Sequence, residues 1–159
     1  MAIRKIVTVG DDVLRKKCRE VTAFDKKLQQ LLDDMRDTLI RADGVGLAAP
    51  QVGILKRVVV VRIGDDFVEL INPKIIAKEG EQQELEGCLS IPGKWGITKR
   101  PAKVTVRAQN RHGQYYEKTG EELIARAFCH ELDHLDGVLY TDHAIRILTQ
   151  EELKKEQEG

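Results

Sequence analysis

The residues best placed to do chemistry stand at His130-Glu131-Leu132-Asp133-His134. On an α-helix, side chains four positions apart lie about 40° from each other around the axis, so both imidazoles leave from one face. Such a pair can grip one divalent ion, and a glutamate beside the first histidine can act on water at that ion. A lone histidine is more often a satisfied core or surface residue. Two at this spacing with Glu131 between them favour a ligand pair, although shuffling this composition would produce the pattern about once in 150 trials. His112, in a turn, and His143, beyond the helix, read as surface residues.

A catalytic site of this kind needs a third protein ligand and one open position. Three cysteines are available, Cys18, Cys88 and Cys129. Cys129 neighbours His130 in sequence but points about 100° away from it, toward the expected core. Cys18 belongs to a charged leading segment with no other motif. Cys88, in Glu86-Gly87-Cys88-Leu89-Ser90 at the end of a predicted strand, is the best candidate; on residue type alone it stays open between ligand and buried filler. Gly44-Val45-Gly46-Leu47-Ala48-Ala49-Pro50-Gln51 could let backbone approach a ligand closely, or be only the exit of a helix. It lacks the Lys and Ser/Thr of a phosphate loop.

The elements that must position these residues follow from periodicity. A helix is predicted from about Asp25 to Ala42, with Leu28, Leu31, Leu32, Met35 and Leu39 on one face and Thr22 as its N-cap. Val58 to Val61 is β-branched and apolar on both faces, which predicts a buried strand. Val68–Ile76 predicts one or two strands bent at Asn72-Pro73. Gln82–Leu85, Gly96–Lys99 and Lys103–Ala108 are shorter strands, and Asn110 to Gly113 is a turn. Variation is expected in a loop between Gly93 and Thr98. A second helix runs from about Gly120 to Asp136 and stops at Gly137. Its far side, Ile124, Phe128, Leu132 and Leu135, should be buried, while Leu123 and Ala127 accompany the histidines on the other. Thr149 to Glu152 opens a short C-terminal helix. Helix, many strands, then helix means segregated elements: an α+β fold, with mixed or antiparallel sheets packed around the central histidine-bearing helix.

Composition bounds the rest. The chain has 159 residues, enough for one domain spanning 1–159. Lys plus Arg equals Asp plus Glu at 26 each, so there is no basic surplus for bulk nucleic-acid binding. No apolar run reaches the ~18–20 residues of a membrane span, and the N-terminus lacks the features of a secretory signal. An odd, sparse cysteine set suits a reducing compartment, so the cytoplasm is expected.

The three stretches Gly44–Gln51, Glu86–Ser90 and His130–His134, in this order, resemble peptide deformylase along most of the chain. The resemblance implies a metal-dependent hydrolase that removes the N-formyl group from the N-terminal formyl-methionine of new proteins and releases formate. It implies Cys88, His130 and His134 as metal ligands and Glu131 as general acid/base while a water activated by the ion attacks the formyl carbon. It makes the Gln51 side-chain amide and the Leu89 backbone N–H the groups that receive the developing oxyanion. Fe²⁺ is the implied metal, with Ni²⁺, Co²⁺ or Zn²⁺ as substitutes. Formyl-methionyl nascent peptides are the implied substrates, met at the ribosome near its exit tunnel in a bacterial-type cytoplasm.

Small residues leave room for a linear apolar side chain, so a methionine pocket is expected at Gly44, Val45, Gly46, Gly87, Leu123 and Ala127. The peptide backbone would run along Gly44–Gly46 as an added strand. Glu86 and Arg100 form either a pair that fixes the Cys88 segment or an exposed pair of little value. The rival readings are an endopeptidase, which can share the histidine motif, and a structural zinc module, which would need a fourth ligand.

Overall fold

The structure, a computed structural model, describes residues 2–158. Helix α1 (Lys26–Ala42) is capped by Asp25, whose carboxylate accepts from the Leu28 amide at 3.1 Å. The expected cap, Thr22, lies too early: Thr22–Phe24 is still non-helical, and a cap works only directly before the first helical residue. The helix closes at Asp43 in the left-handed region (φ 53°), and the chain then enters the glycine-rich stretch.

Eight strands follow, forming two sheets of antiparallel ladders. The first sheet contains β1 (Gly46–Ala48), β2 (Val58–Ile63), β3 (Asp66–Glu79), β6 (Lys103–Gln109) and β7 (Tyr115–Glu121), in the order β1-β2-β3-β6-β7. The second contains β4 (Gln82–Cys88), β5 (Ile91–Arg100) and β8 (Arg146–Thr149), in the order β4-β5-β8. Strand β3 is continuous, but its pairing with β6 shifts register between Ile71 and Lys74, across Asn72-Pro73, with Asn72 at φ 51°. The Asn72 side chain ties this bend down by bonding both the N–H and the C=O of Val21.

Strand β2 explains why a sheet lies at the centre. Val58 and Val60 face α1 and pack with Leu28, Leu32, Met35 and Leu39, whereas Val59 and Val61 face the other side and pack with Leu70, Val106, Phe128 and Leu132. Alternating side chains therefore bury both faces of one strand, the former against α1 and the latter against α2 (Leu123–His134). Each fully buried side chain of this size is worth about 1.5–3 kcal/mol. A third cluster, Leu14, Ile91, Leu139 and Tyr140, fills the space under the second sheet.

Helix α2 begins at Leu123, later than Gly120, because Gly120 and Glu121 belong to β7. A Cβ on Gly120 would lie 2.5 Å from Ile124, so the helix folds back directly over a glycine. Strand β5 occupies Ile91–Arg100, so the predicted strand Gly96–Lys99 is present but starts earlier and takes in the residues from Gly93 that were expected in a loop. Helix α2 packs against β1, β2, β6 and β7 of the first sheet and β5 of the second, which makes it central. The last described element is helix α3 (Gln150–Glu158), with the Thr149 hydroxyl accepting from the Glu152 amide. No helix among the described residues is long and apolar enough to cross a membrane.

Candidate metal centre

Three donors converge between the two sheets. Cys88 ends β4, at the start of the two-residue turn Leu89-Ser90, and His130 and His134 come from α2. One ligand atom from each lies within 4.8 Å of the others. The Cys88 sulfur is 3.4 Å from His134 Nε2. Two donors sharing one tetrahedral ion at ordinary metal–sulfur and metal–nitrogen lengths would be roughly 3.6 Å apart. Both histidines are buried. The donor set and its spacing fit a divalent ion.

The imidazoles are in different electrostatic environments. Burial opposes charge on His130, but Glu131, the Cys88 sulfur and Glu86 together hold its pKa well above the ordinary value. Burial and the neighbouring His130 charge drive His134 down to about 3. Two buried rings this close, with centroids 5.0 Å apart, are not both charged.

Glu86 orients the first ring. Its Oε1 lies 2.7 Å from His130 Nδ1, which leaves Nε2 available to an ion. The same carboxylate receives two hydrogen bonds from Arg100, at 2.9 and 3.1 Å, and one from the Thr98 hydroxyl. Arg100 also reaches Asp133 on α2 at 2.8 Å. Burial alone would raise the Glu86 pKa; hydrogen bonds from His130 and Arg100 outweigh it and bring the group down to about 2. Of the two readings of this pair, the structure shows the buried one: 7% and 8% exposed, braced between β4, β5 and α2.

Glu131 lies beside the ligands and is itself buried. Desolvation lifts its pKa to about 7, and its Oε1 has no hydrogen-bond partner among the described residues. Its other oxygen lies 2.7 Å from where a Cβ on Gly46 would stand, so β1 can pass this close only as glycine. Gln51 is 1% exposed and held at both ends of its amide. Its Oε1 accepts from the Ala48 N–H at 2.9 Å, and its Nε2 donates to Ser90 Oγ at 3.1 Å and toward the Cys88 sulfur at 3.6 Å.

A cavity of about 350 Å³ opens over these groups. Gly44, Val45, Gly46, Gly87, Leu123 and Ala127 all line it, together with Gln51, Leu89, Cys88, His130 and Glu131. The Leu89 side chain packs over Gly44, where a Cβ would be 2.9 Å from it. Strand β1 is the edge of its sheet and lies beside this opening. Ile91, Trp95 and Arg126 also line the cavity, and sequence reasoning missed them. Trp95 had one available signal, the glycine opposite it: a Cβ on Gly87 would meet its indole nitrogen at 2.9 Å.

A family model for polypeptide deformylase matches residues 3–150. The chain is 54% identical to a peptide deformylase of Acetivibrio thermocellus over 159 residues, covering 100% of this chain and 94% of that one. Among solved structures, a peptide deformylase from Legionella pneumophila superposes with a TM-score of 0.87 at 40% identity, covering 98% of this chain and 96% of that one. One from Thermotoga maritima gives 0.87 at 41% identity, covering 91% and 99%. With a sulfur and two imidazoles gathered beside an apolar cleft, and relatives this similar over more than nine-tenths of their length, the chain belongs to the polypeptide deformylase family.

Proposed function

We propose that this chain, as a single catalytic domain, removes the formyl group from the N-terminal formyl-methionine of newly made proteins in a bacterial-type cytoplasm. The observation that carries the reading is the convergence of Cys88, His130 and His134, with Cys88, His130 and Glu131 lining an apolar cleft bordered by an open strand edge. Cys88, as thiolate, and the two neutral imidazoles would hold the ion. That soft, less positive donor set suits Fe²⁺, with Ni²⁺, Co²⁺ or Zn²⁺ as substitutes. When bound, such an ion supplies Lewis acidity that brings the pKa of water toward ~7 and polarises a carbonyl.

The chain's own groups do the remainder. Glu131 Oε1, buried and unpartnered, takes a proton from the attacking water. As the water oxygen bonds to the formyl carbon, charge grows on the carbonyl oxygen. The Gln51 amide, with one N–H held on Ser90, turns the other from the Cys88 sulfur to this oxygen, and the Leu89 backbone N–H donates to it as well. The carbon–nitrogen bond then breaks, Glu131 returns its proton to the nitrogen, and formate and a free amino terminus leave. Binding follows from β1: an extended peptide adds to its free edge, and the methionine side chain enters between Leu123 and Ala127.

Anaerobic purification followed by metal analysis and a formate-release assay tests this reading. Formyl-Met-Ala-Ser should release formate, and the unblocked peptide should stay intact. A metal-loaded protein that released no formate would refute it. Ala127 bounds the pocket and is 8% exposed. Ala127→Phe should fill it and raise KM for formyl-Met peptides by roughly ten- to a hundredfold, as expected when a buried methionine side chain loses its site. Unchanged KM would remove Ala127 from the pocket.

A further inference from the structure

The ring behind the first imidazole has no role in the reaction described above. Tyr140 is 1% exposed and lies in the 3₁₀ turn Tyr140–Asp142 that follows α2. It stacks on His130 with centroids 5.9 Å apart and planes inclined by 25°. Its hydroxyl donates to the Lys94 carbonyl at 3.1 Å, on the β5 segment that walls the cavity. Strand β5 makes room for it with Gly96, where a Cβ would lie 2.7 Å from Tyr140 Cε2. Leu14, Ile91 and Leu139 close around it.

Glu86 holds His130 by one atom, Nδ1. The Cβ–Cγ bond and that one hydrogen bond define the mean plane of the ring but resist rocking about Cβ–Cγ only softly, and the His134 ring meets it edge-on, with centroids 5.0 Å apart. A rigid aromatic face against the ring stiffens it. We infer that Tyr140 is a positioning residue for His130: its ring holds the plane of the imidazole that Glu86 anchors by its edge, so the other ring nitrogen stays aimed at the ion. The inference rests on the ligand assignment proposed above.

The probe is Co²⁺, loaded into the full chain, with two readouts: visible absorption of the bound ion and its rate of loss to excess chelator. Groups that orient a metal ligand without touching the metal affect affinity by ~10–100-fold, so Tyr140→Leu should lose Co²⁺ faster by about that factor, with a shifted absorption, while Tyr140→Phe stays within about twofold of wild type. Gly96→Ala, which pushes the ring without deleting it, should move both readouts in the same direction as Tyr140→Leu. A purely space-filling role predicts a lower melting temperature with Co²⁺ absorption and loss rate unchanged in the folded variants, and that result overturns the inference. So does a Tyr140→Phe protein as leaky as Tyr140→Leu, which would make the hydroxyl bond to Lys94 the device. If Tyr140→Leu does not fold, Gly96→Ala decides by the same criteria. A wild-type chain that takes up no Co²⁺ would refute the ligand assignment itself.

Discussion

Glu131→Gln is expected to give a folded protein that keeps its metal and loses turnover by about 10²–10⁴-fold, the usual worth of a positioned general acid/base. The variant leaves Cys88, His130 and His134 untouched and preserves side-chain volume beside Gly46, where there is no slack. It removes only the capacity to accept and return a proton. The wild-type carboxyl is suited to both, since burial sets its pKa at about 7. Its unpartnered Oε1 is also a cost that the native fold bears for function. Stability of the variant should therefore equal or exceed that of the wild type. Metal content, thermal melting and formate release on the same preparation check this. Activity within about tenfold of wild type, with metal retained, would place the proton transfer elsewhere.

The second large effect concerns stability. Arg100→Met removes two of the donors to Glu86 and one partner of Asp133 at once, leaving a carboxylate buried against only Thr98 and His130. Breaking a buried pair in this way costs about 3–5 kcal/mol. At about 2–4 °C per kcal/mol for a domain of this size, the melting temperature should fall by roughly 6–20 °C. The effect also has a pH signature. The folded pKa of Glu86, about 2, lies below its ordinary 4.5. Its contribution is therefore complete above pH 4.5 and lost as pH falls toward 2. Without Arg100 the depression shrinks, so acid unfolding of the variant should begin at higher pH. A cycle with Glu86→Gln should show coupling of about 0.5–3 kcal/mol. Additive effects would show that the two side chains are neighbours without interaction.

What the sequence reveals and what it hides divides along physical lines. The α1 face and the two-sided β2 were legible because burial imposes a period: Leu28 to Leu39 repeat with the helix, and Val58 to Val61 are apolar on both faces because the strand has a core on each side. Strand β1 was not legible, since three residues carry no period. The start of α2 was read too early because Gly120 and Glu121 fit either a strand end or a helix start, and only the close packing of Ile124 on Gly120 decides between them. The histidine pair could be read from spacing within one helix. Cys88 could not be separated from filler by residue type, because its pairing with α2 depends on how the β4–β5 hairpin folds across 41 residues of intervening chain, from Cys88 to His130. Tyr140 reaches the back of His130 by tertiary packing alone and no local pattern marks it, while Trp95 is marked only by Gly87, the small residue it packs on.

Strand β1 is both short and unpaired on its outer side. A long bare edge would invite pairing between copies and aggregation, but three residues offer too few rungs to hold a neighbouring chain on their own. A visitor would stay only if something else anchored it, and under the proposed function the cavity at one end would supply that anchor. Beyond the anchored residue, contact would be made through main-chain groups that every polypeptide shares. Such a surface would test one residue and be indifferent to the next, the tolerance required of an enzyme that must serve a whole proteome through a single feature common to all its substrates.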